Sequence, residues 1–384
     1  MKLIINTSNL YVGGGLQVAL SFINELKSLE NSHEYYIFVS LAVEKQLDQD
    51  SFSDKFHFYR IDKSPSLLKT RKEVVKQLNT LEEGIQPDVV FSVFGPSYWK
   101  PRAVHLVGFA DGWVYNQSSI AYQKLSFFKR LNMRLHTLYK AYYLKRDADY
   151  YVLETEDAKE RIVKMLYLNK EYVFVVGNTY SNSFEDKSLL DRKSKHYVKL
   201  PERNDNEFRF VYIAHNHVNK NLTVIKEIIP LLQKYNIRFI LTLNPQVFET
   251  LFKGFEDNII NIGPIEQVAC PSVYSQVDAL FAPTLLETFS AAYPEAMKMK
   301  KPILTSNYSF AKDVCKDAAL YFDPLNPEDI AKKIKQLIED KSLQNELIEK
   351  GTKRLKEFET AHSRAEKYIE ICEILNKTKG EKDV

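Results

Sequence analysis

The chain has 384 residues, 45% of them hydrophobic and 27% charged, a balance that belongs to soluble globular proteins and a length that implies two or three domains. Fifty-three basic side chains against 50 acidic ones leave a formal charge of +3, too even for a surface built to coat nucleic acid, so no nucleic-acid partner is expected. The 23 Tyr and 23 Phe exclude a disordered chain. Cys270, Cys315 and Cys372 form no CxxC pair and no Cys/His cluster, so the expectation is no metal site and the reduced thiols of a cytoplasmic protein.

From Leu3 to Asn24 no residue is charged, yet the apolar core is only Leu3-Ile4-Ile5, too short for a signal peptide or a bilayer span. The segment reads as strand Lys2–Asn6, a Gly13-Gly14-Gly15 loop, and a helix with Leu16, Ala19, Leu20, Ile23 and Leu26 on one face. Strands follow at Tyr35–Leu41, Phe56–Ile61, Val89–Phe94 and Ala103–Phe109, with a helix at Leu67–Leu81. Strands that alternate with helices imply parallel βαβ units covered on both faces.

Residues 122–147 differ. Lys124, Lys129, Arg130, Arg134, Lys140, Lys145 and Arg146 face a single acid, Asp147, and are interleaved with Phe127, Phe128, Leu131, Leu135, Leu138 and several tyrosines. Two placements suit such a helix equally: on an anionic membrane surface or acidic partner, or packed on the sheet with its cations in water.

Strands resume at Tyr150–Leu153 and Tyr172–Val176. The polar stretch 181–207 is the best linker candidate. A second alternating series then runs through strands near Phe208–Ala214, Arg238–Leu243, Ile259–Ile262, Ala279–Phe281, Pro302–Thr305 and Ala319–Phe322. A helix is expected at Leu222–Tyr235, Leu343–Leu375 is long and helical in pattern, and Asn376–Val384 is expected to fray. The expected domains are therefore 1–180, a linker 181–207, 208–355, and a C-terminal segment 356–384.

The Gly13-Gly14-Gly15 loop lets backbone approach an anion. A dinucleotide fingerprint fails there, since Val18 stands where its third glycine would be and no acid ends the second strand. A stronger constellation runs from Asp278 to Met297. A strand ends near Pro283, a loop carries Glu287, and a helix begins near Ala291 with Glu295 early in it. Free amides there suit a diphosphate, and a carboxylate can accept both hydrogen bonds of a ribose diol. Spacing alone leans to a plainer reading, in which Glu295 complements the helix dipole and Glu287 is solvated.

Glu287 and Glu295, with Pro283-Thr284 before them and Lys301-Pro302-Ile303-Leu304 after, resemble the signature of the group 1 glycosyltransferases, the retaining nucleotide-sugar enzymes of glycosyltransferase family 4. Other motifs fall in that family's order. They are Gly13-Gly14-Gly15, Val175-Val176-Gly177-Asn178, the stretch Tyr212–Asn221, Asn261-Ile262-Gly263-Pro264-Ile265, and Phe322-Asp323-Pro324. The resemblance spans nearly the whole chain and is sharper in the second half. It implies a GT-B fold, an α/β architecture of two Rossmann-like doubly wound parallel-sheet domains with a C-terminal helix crossing back to the first.

It further implies a UDP- or GDP-linked sugar donor on the second domain and a glycan or lipid-linked acceptor, in cell-surface polysaccharide synthesis. The nucleotide-sugar is a co-substrate, and neither a cofactor nor a metal is expected. By the same resemblance Lys220 stabilises the leaving diphosphate, Glu287 contacts the donor sugar, and Glu295 binds the ribose. Phe289 and Ser290 would present amides, with Gly14, Gly15 and Ile265 also lining the donor. Two positions depart from the family. His215 stands where an arginine is usual, and Ala110-Asp111 where many members have a histidine, so Asp111 is either the residue that positions or deprotonates the acceptor or simply the start of an Asp-Gly turn. A GT-B epimerase or hydrolase, and a non-catalytic nucleotide-sugar binder, are the alternative functions.

Overall fold

The computed structural model describes residues 1–11 and 13–382. The chain forms two compact units: residues 1–117, 127–178 and 359–384 make one, residues 118–126 and 179–358 the other. No helix among the described residues is long and apolar enough to cross a membrane.

The first unit is built on seven parallel strands: β1 (Lys2–Thr7), β2 (Glu34–Ser40), β3 (Phe56–Ile61), β4 (Val89–Ser92), β5 (Val104–Gly108), β6 (Tyr150–Leu153) and β7 (Val173–Val175). Their order is β3-β2-β1-β4-β5-β6-β7. Leu3, Ile4 and Ile5 on β1 are wholly buried, as a central strand covered on both faces requires. The second unit repeats the plan with β8 (Phe208–Tyr212), β9 (Ile237–Leu241), β10 (Ile259–Asn261), β11 (Ala279–Ala282), β12 (Ile303–Ser306) and β13 (Ala319–Phe322), ordered β10-β9-β8-β11-β12-β13. Both sheets reverse their winding beside their first strand, between β1 and β4 and between β8 and β11. Doubly wound sheets bind ligands beyond the carboxyl ends of the strands at such a reversal.

Several expected boundaries move. The helix expected from Leu67 begins at Arg71 and runs to Ile85. The one expected over Leu222–Tyr235 is a short helix, Val224–Ile228, followed by a tighter 3-10 turn at Ile229–Leu232. Pro230 stands at that junction, where its missing N–H interrupts the ladder. The stretch 181–207 is not a free linker. It belongs to the second unit, where Phe184 and Leu200 are buried in the core with Phe208 and Tyr274. A few apolar anchors in a polar stretch suffice to pin it.

The C-terminal helix Ala361–Lys382 belongs to the first unit, and it continues through the segment expected to fray from Asn376; residues 383 and 384 lie outside the described residues. Its Ala365, Tyr368, Ile369, Cys372 and Leu375 enter the core that holds Leu3 and Phe22. The Tyr368 ring lies 5.3 Å from that of Phe22 and 5.1 Å from that of Phe91. Arg364, buried on the same helix, donates to Ser21 Oγ at 3.0 Å and to Asn178 Oδ1, while Asn178 Nδ2 donates to Glu154 Oε1 at 2.7 Å. All three cysteines are free and buried.

Candidate functional site

The reversal point of the second sheet gathers the donor-side candidates. β8 ends at Tyr212 and leads through an exposed loop to a 3-10 turn, Val218–Lys220. Asn221 closes that turn in the left-handed conformation (φ 51°), which asparagine tolerates, and its Nδ2 donates to the carbonyl of Pro324 at 3.0 Å. Lys220 is thereby held at the carboxyl edge of the sheet. β11 ends at Ala282 on the other side of the reversal, and its exit loop carries Glu287.

The two loops are tied backbone to side chain. Asn219 Nδ2 donates to the carbonyl of Leu286 at 2.8 Å, and the Leu285 amide donates back to the Asn219 carbonyl at 2.6 Å. Thr284, fully buried, donates to the Asn219 carbonyl at 3.0 Å and lies 3.0 Å from Glu287 Oε1. Lys220 Nζ forms an ion pair with the same carboxylate, and both side chains are mostly shielded, at 19% and 13% exposure. Burial pulls the Lys220 ammonium toward neutrality, but the Glu287 carboxylate and Tyr212 outweigh it and its pKa is raised. Lys220 therefore stays charged. The plainer reading of Glu287, a solvated carboxylate, is set aside by this pairing.

Glu295 is reached differently. It lies in the short helix Ala292–Lys298, where Pro294 falls in the first turn and costs no hydrogen bond. Its side chain is buried beside Tyr274, and desolvation lifts its carboxyl to about 7 despite the Tyr274 hydrogen bond, which opposes the shift. The amides of Phe289 and Ser290, just ahead of that helix, make no intrachain hydrogen bond among the described residues. Ser290 is buried and its carbonyl accepts from the Tyr293 amide at 3.1 Å; the half-buried Phe289 ring packs 6.1 Å from Phe358. With only seven residues the helix contributes little dipole, so an anion here depends on Lys220 and on individual amides.

Ile265 is half-buried in the loop after β10, entered through Gly263 at φ 74°. His215 is exposed on the loop after β8, its ring 6.5 Å from that of His217. Lys220, Glu287, Glu295, Phe289, Ser290, His215 and Ile265 thus all lie in one unit.

Gly14, Gly15 and Asp111 lie in the other. Gly13, at φ 81°, turns the chain into helix Gly14–Glu25, and a Cβ on Gly15 would come within 3.2 Å of the Phe94 ring. Asp111 caps the short helix Gly112–Tyr115, accepting from the Trp113 amide at 3.1 Å, and its second oxygen pairs with Lys140 Nζ at 2.7 Å. Both oxygens are therefore engaged. In Asp147-Ala148-Asp149 the first acid is buried and the second is exposed, and each has a partner within the first unit. Asp147 pairs with Arg146 at 2.5 Å, and Asp149 accepts from the His105 amide at 3.0 Å. His105 is a packed histidine, with Nε2 2.8 Å from Ser92 Oγ and Nδ1 2.7 Å from the Asp147 carbonyl.

A further contributor to the Glu287 loop carries no mark in the sequence. Residues 118–126 lie far from it in the chain yet fold with the second unit, and Ser119 Oγ donates to the carbonyl of Leu285 at 3.2 Å. A lone serine in a loop carries no spacing signal that could reveal such a contact. Thr284 and Tyr274, which hold Glu287 and Glu295, were likewise unassigned.

Residues 197–354 match the family profile of the glycosyl transferases group 1. No curated relative matches the chain by sequence. Solved structures of similar fold cover nearly all of it. A glycosyltransferase from Rickettsia africae ESF-5 aligns at TM-score 0.73 and 15% identity, over 97% of this chain and 98% of that one. A sucrose-phosphate synthase from Thermosynechococcus elongatus aligns at TM-score 0.71 and 13% identity, over 98% and 99%. Anabaena Alr3699/HepE in complex with UDP-glucose aligns at TM-score 0.68 and 12% identity, over 97% and 99%. Identities this low speak to fold alone, and the fold is GT-B.

Proposed function

We propose that this chain, whose residues 197–354 match the profile of the group 1 glycosyltransferases, moves a sugar from a nucleotide diphosphate donor to a hydroxyl of a glycan or lipid-linked acceptor, with retention and without a metal. The observation that carries this reading is the Lys220–Glu287 pair, shielded and held by Thr284 and Asn219 at the reversal point of the second sheet. Before the donor arrives, each charge neutralises the other. A diphosphate entering there takes Lys220 as its counter-charge, and Glu287, released, turns to the hydroxyls of the sugar and to the positive character growing at its reacting carbon. Lys220 follows the departing phosphate as a mobile point charge.

Glu295, already buried, receives the ribose hydroxyls, and the Phe289 and Ser290 amides serve the phosphates. Retention follows if the acceptor attacks on the face the diphosphate leaves, so positioning counts for more than a strong base. That order of importance suits Asp111, whose carboxylate is held by the Trp113 amide and Lys140 and keeps lone pairs on both oxygens for an acceptor hydroxyl. The free cysteines fit a cytoplasmic location. Similar folds that hold UDP and UDP-glucose favour a uridine donor over a guanosine one.

Thermal denaturation against UDP, GDP and their sugar conjugates tests the donor site. A bound nucleotide raises the midpoint by mass action, and Lys220→Ala and Glu295→Ala remove the rise. A panel in which no nucleotide stabilises the protein, or in which both variants respond like the parent, rejects this reading. Chromatography of the sugar nucleotide without acceptor separates the rival chemistries, because an epimerised or hydrolysed donor marks them.

A further inference from the structure

We infer that the solvent face of helix Phe127–Asp147 is a docking surface for an anionic lipid bilayer, on which the helix lies in the plane of the membrane. The helix has two apolar faces. One, with Thr137, Ala141 and Leu144, is buried in the first unit. The other carries Phe127, Phe128, Leu131, Leu135, Leu138 and Tyr142, all between 49% and 80% exposed. Their spacing, three and four residues in alternation from Phe128 to Tyr142, puts all six within an arc of about 100°. An ordinary surface helix shows water a polar face; a continuous apolar stripe of this length calls for a covering surface.

The charges around the stripe select what covers it. Lys129, Arg130, Arg134, Lys145 and Arg146 share the helix with a single acid, Asp147, which is itself buried against Arg146. Lys140 pairs with Asp111, and Lys145 Nζ donates to a neutral acceptor, the Leu166 carbonyl, at 2.7 Å. At 100° per residue Arg134, Lys145 and Arg146, all exposed, fall at the edges of the stripe, and an apolar stripe with cations at its edges matches the boundary between acyl chains and anionic headgroups. A second copy of this chain would instead bring the same cations face to face. The helix does not cross the bilayer, since no described helix is apolar enough to do so. This surface lies outside the donor site, so the donor titration and the lipid test succeed or fail separately.

Flotation of the full chain with vesicles of phosphatidylcholine alone, or with half the lipid replaced by phosphatidylglycerol, is the test. The expected result is at least tenfold stronger association with the anionic vesicles, falling severalfold in 0.5 M salt. A Phe128→Ser, Leu131→Ser, Leu135→Ser variant is expected to lose at least tenfold in association, and an Arg134→Glu, Lys145→Glu variant to lose the preference for anionic lipid. Unchanged circular dichroism and unchanged nucleotide response certify that both variants are folded. Equal or absent association with the two vesicle types overturns the inference. So does a concentration-dependent dimer, seen by sedimentation, that the triple serine variant abolishes while vesicles are ignored.

Discussion

Thr284 and Lys220 address the same atom. Glu287 Oε1 lies 3.0 Å from Thr284 Oγ1 and is also the partner of Lys220 Nζ. One residue fixes the carboxylate and the other neutralises it, so the loop is oriented before any ligand binds. Preorganisation of this kind lowers the ordering cost of binding.

Thr284→Val keeps the shape and removes the hydroxyl, leaving the buried Asn219 carbonyl with one donor fewer. A destabilisation of about 1–2 kcal/mol is expected, with nucleotide affinity reduced severalfold because Glu287 loses its orientation. Ser119→Ala, which frees the Leu285 carbonyl, is expected to act in the same direction with a smaller effect. Calorimetric titration with UDP reads the affinities, and urea unfolding followed by fluorescence reads the stability. A Thr284→Val protein that binds as the parent does would refute the positioning role.

Glu295 makes binding depend on pH. Burial raises its carboxyl from 4.5 to about 7, so the folded protein holds this proton more tightly than the unfolded chain. Its stabilising contribution is complete in acid and is lost as pH rises toward 7, by on the order of 3 kcal/mol. Glu154, also raised to about 7 by burial, acts in the same sense in the first unit. Ribose hydroxyls need the ionised acceptor, so nucleotide affinity is expected to rise about tenfold from pH 6 to 8. Glu295→Gln should flatten that rise in titrations at several pH values, and a persisting slope would place its origin elsewhere.

Arg364 secures the C-terminal helix. Arg364→Ala leaves the half-buried Asn178 and the buried Glu154 without their cationic neighbour, for an expected loss of about 3 kcal/mol. Hydrogen exchange should show the Ala361–Lys382 amides opening faster while those of β8–β13 keep their protection. Uniform acceleration across both units would contradict a local anchor.

Two glycines make opposite predictions. A Cβ on Gly108 would lie 1.9 Å from the Val93 carbonyl oxygen, whereas one on Gly84, inside helix Arg71–Ile85, meets nothing within 4 Å. Gly108→Ala should yield no folded protein, because the obstacle is backbone. Gly84→Ala should stabilise by about 1 kcal/mol through helix propensity. Expression with circular dichroism tests the first and thermal denaturation the second.

The strands were legible in the sequence because each is a short apolar or aromatic run between polar turns, as with β3 at Phe56–Ile61 and β13 at Ala319–Phe322. Ordered motifs around Lys220, Glu287 and Glu295 were legible too, since loops that leave the strand ends keep their residues close in sequence. Helix ends were less so: the helix expected from Leu67 begins at Arg71, and Pro230 divides the one expected over Leu222–Tyr235 through a missing N–H that apolar spacing does not register.

Periodicity and local motif order, which depend on neighbours a few residues apart, thus determined two doubly wound units and the loops able to hold an anion. Only the folded chain decided that Lys220 and Glu287 pair, that Ser119 joins the second unit, and that the stripe of Phe127, Phe128, Leu131, Leu135, Leu138 and Tyr142 faces water instead of the core. Those outcomes depend on which distant surfaces exclude solvent from one another, and burial of that kind has no one-dimensional signature.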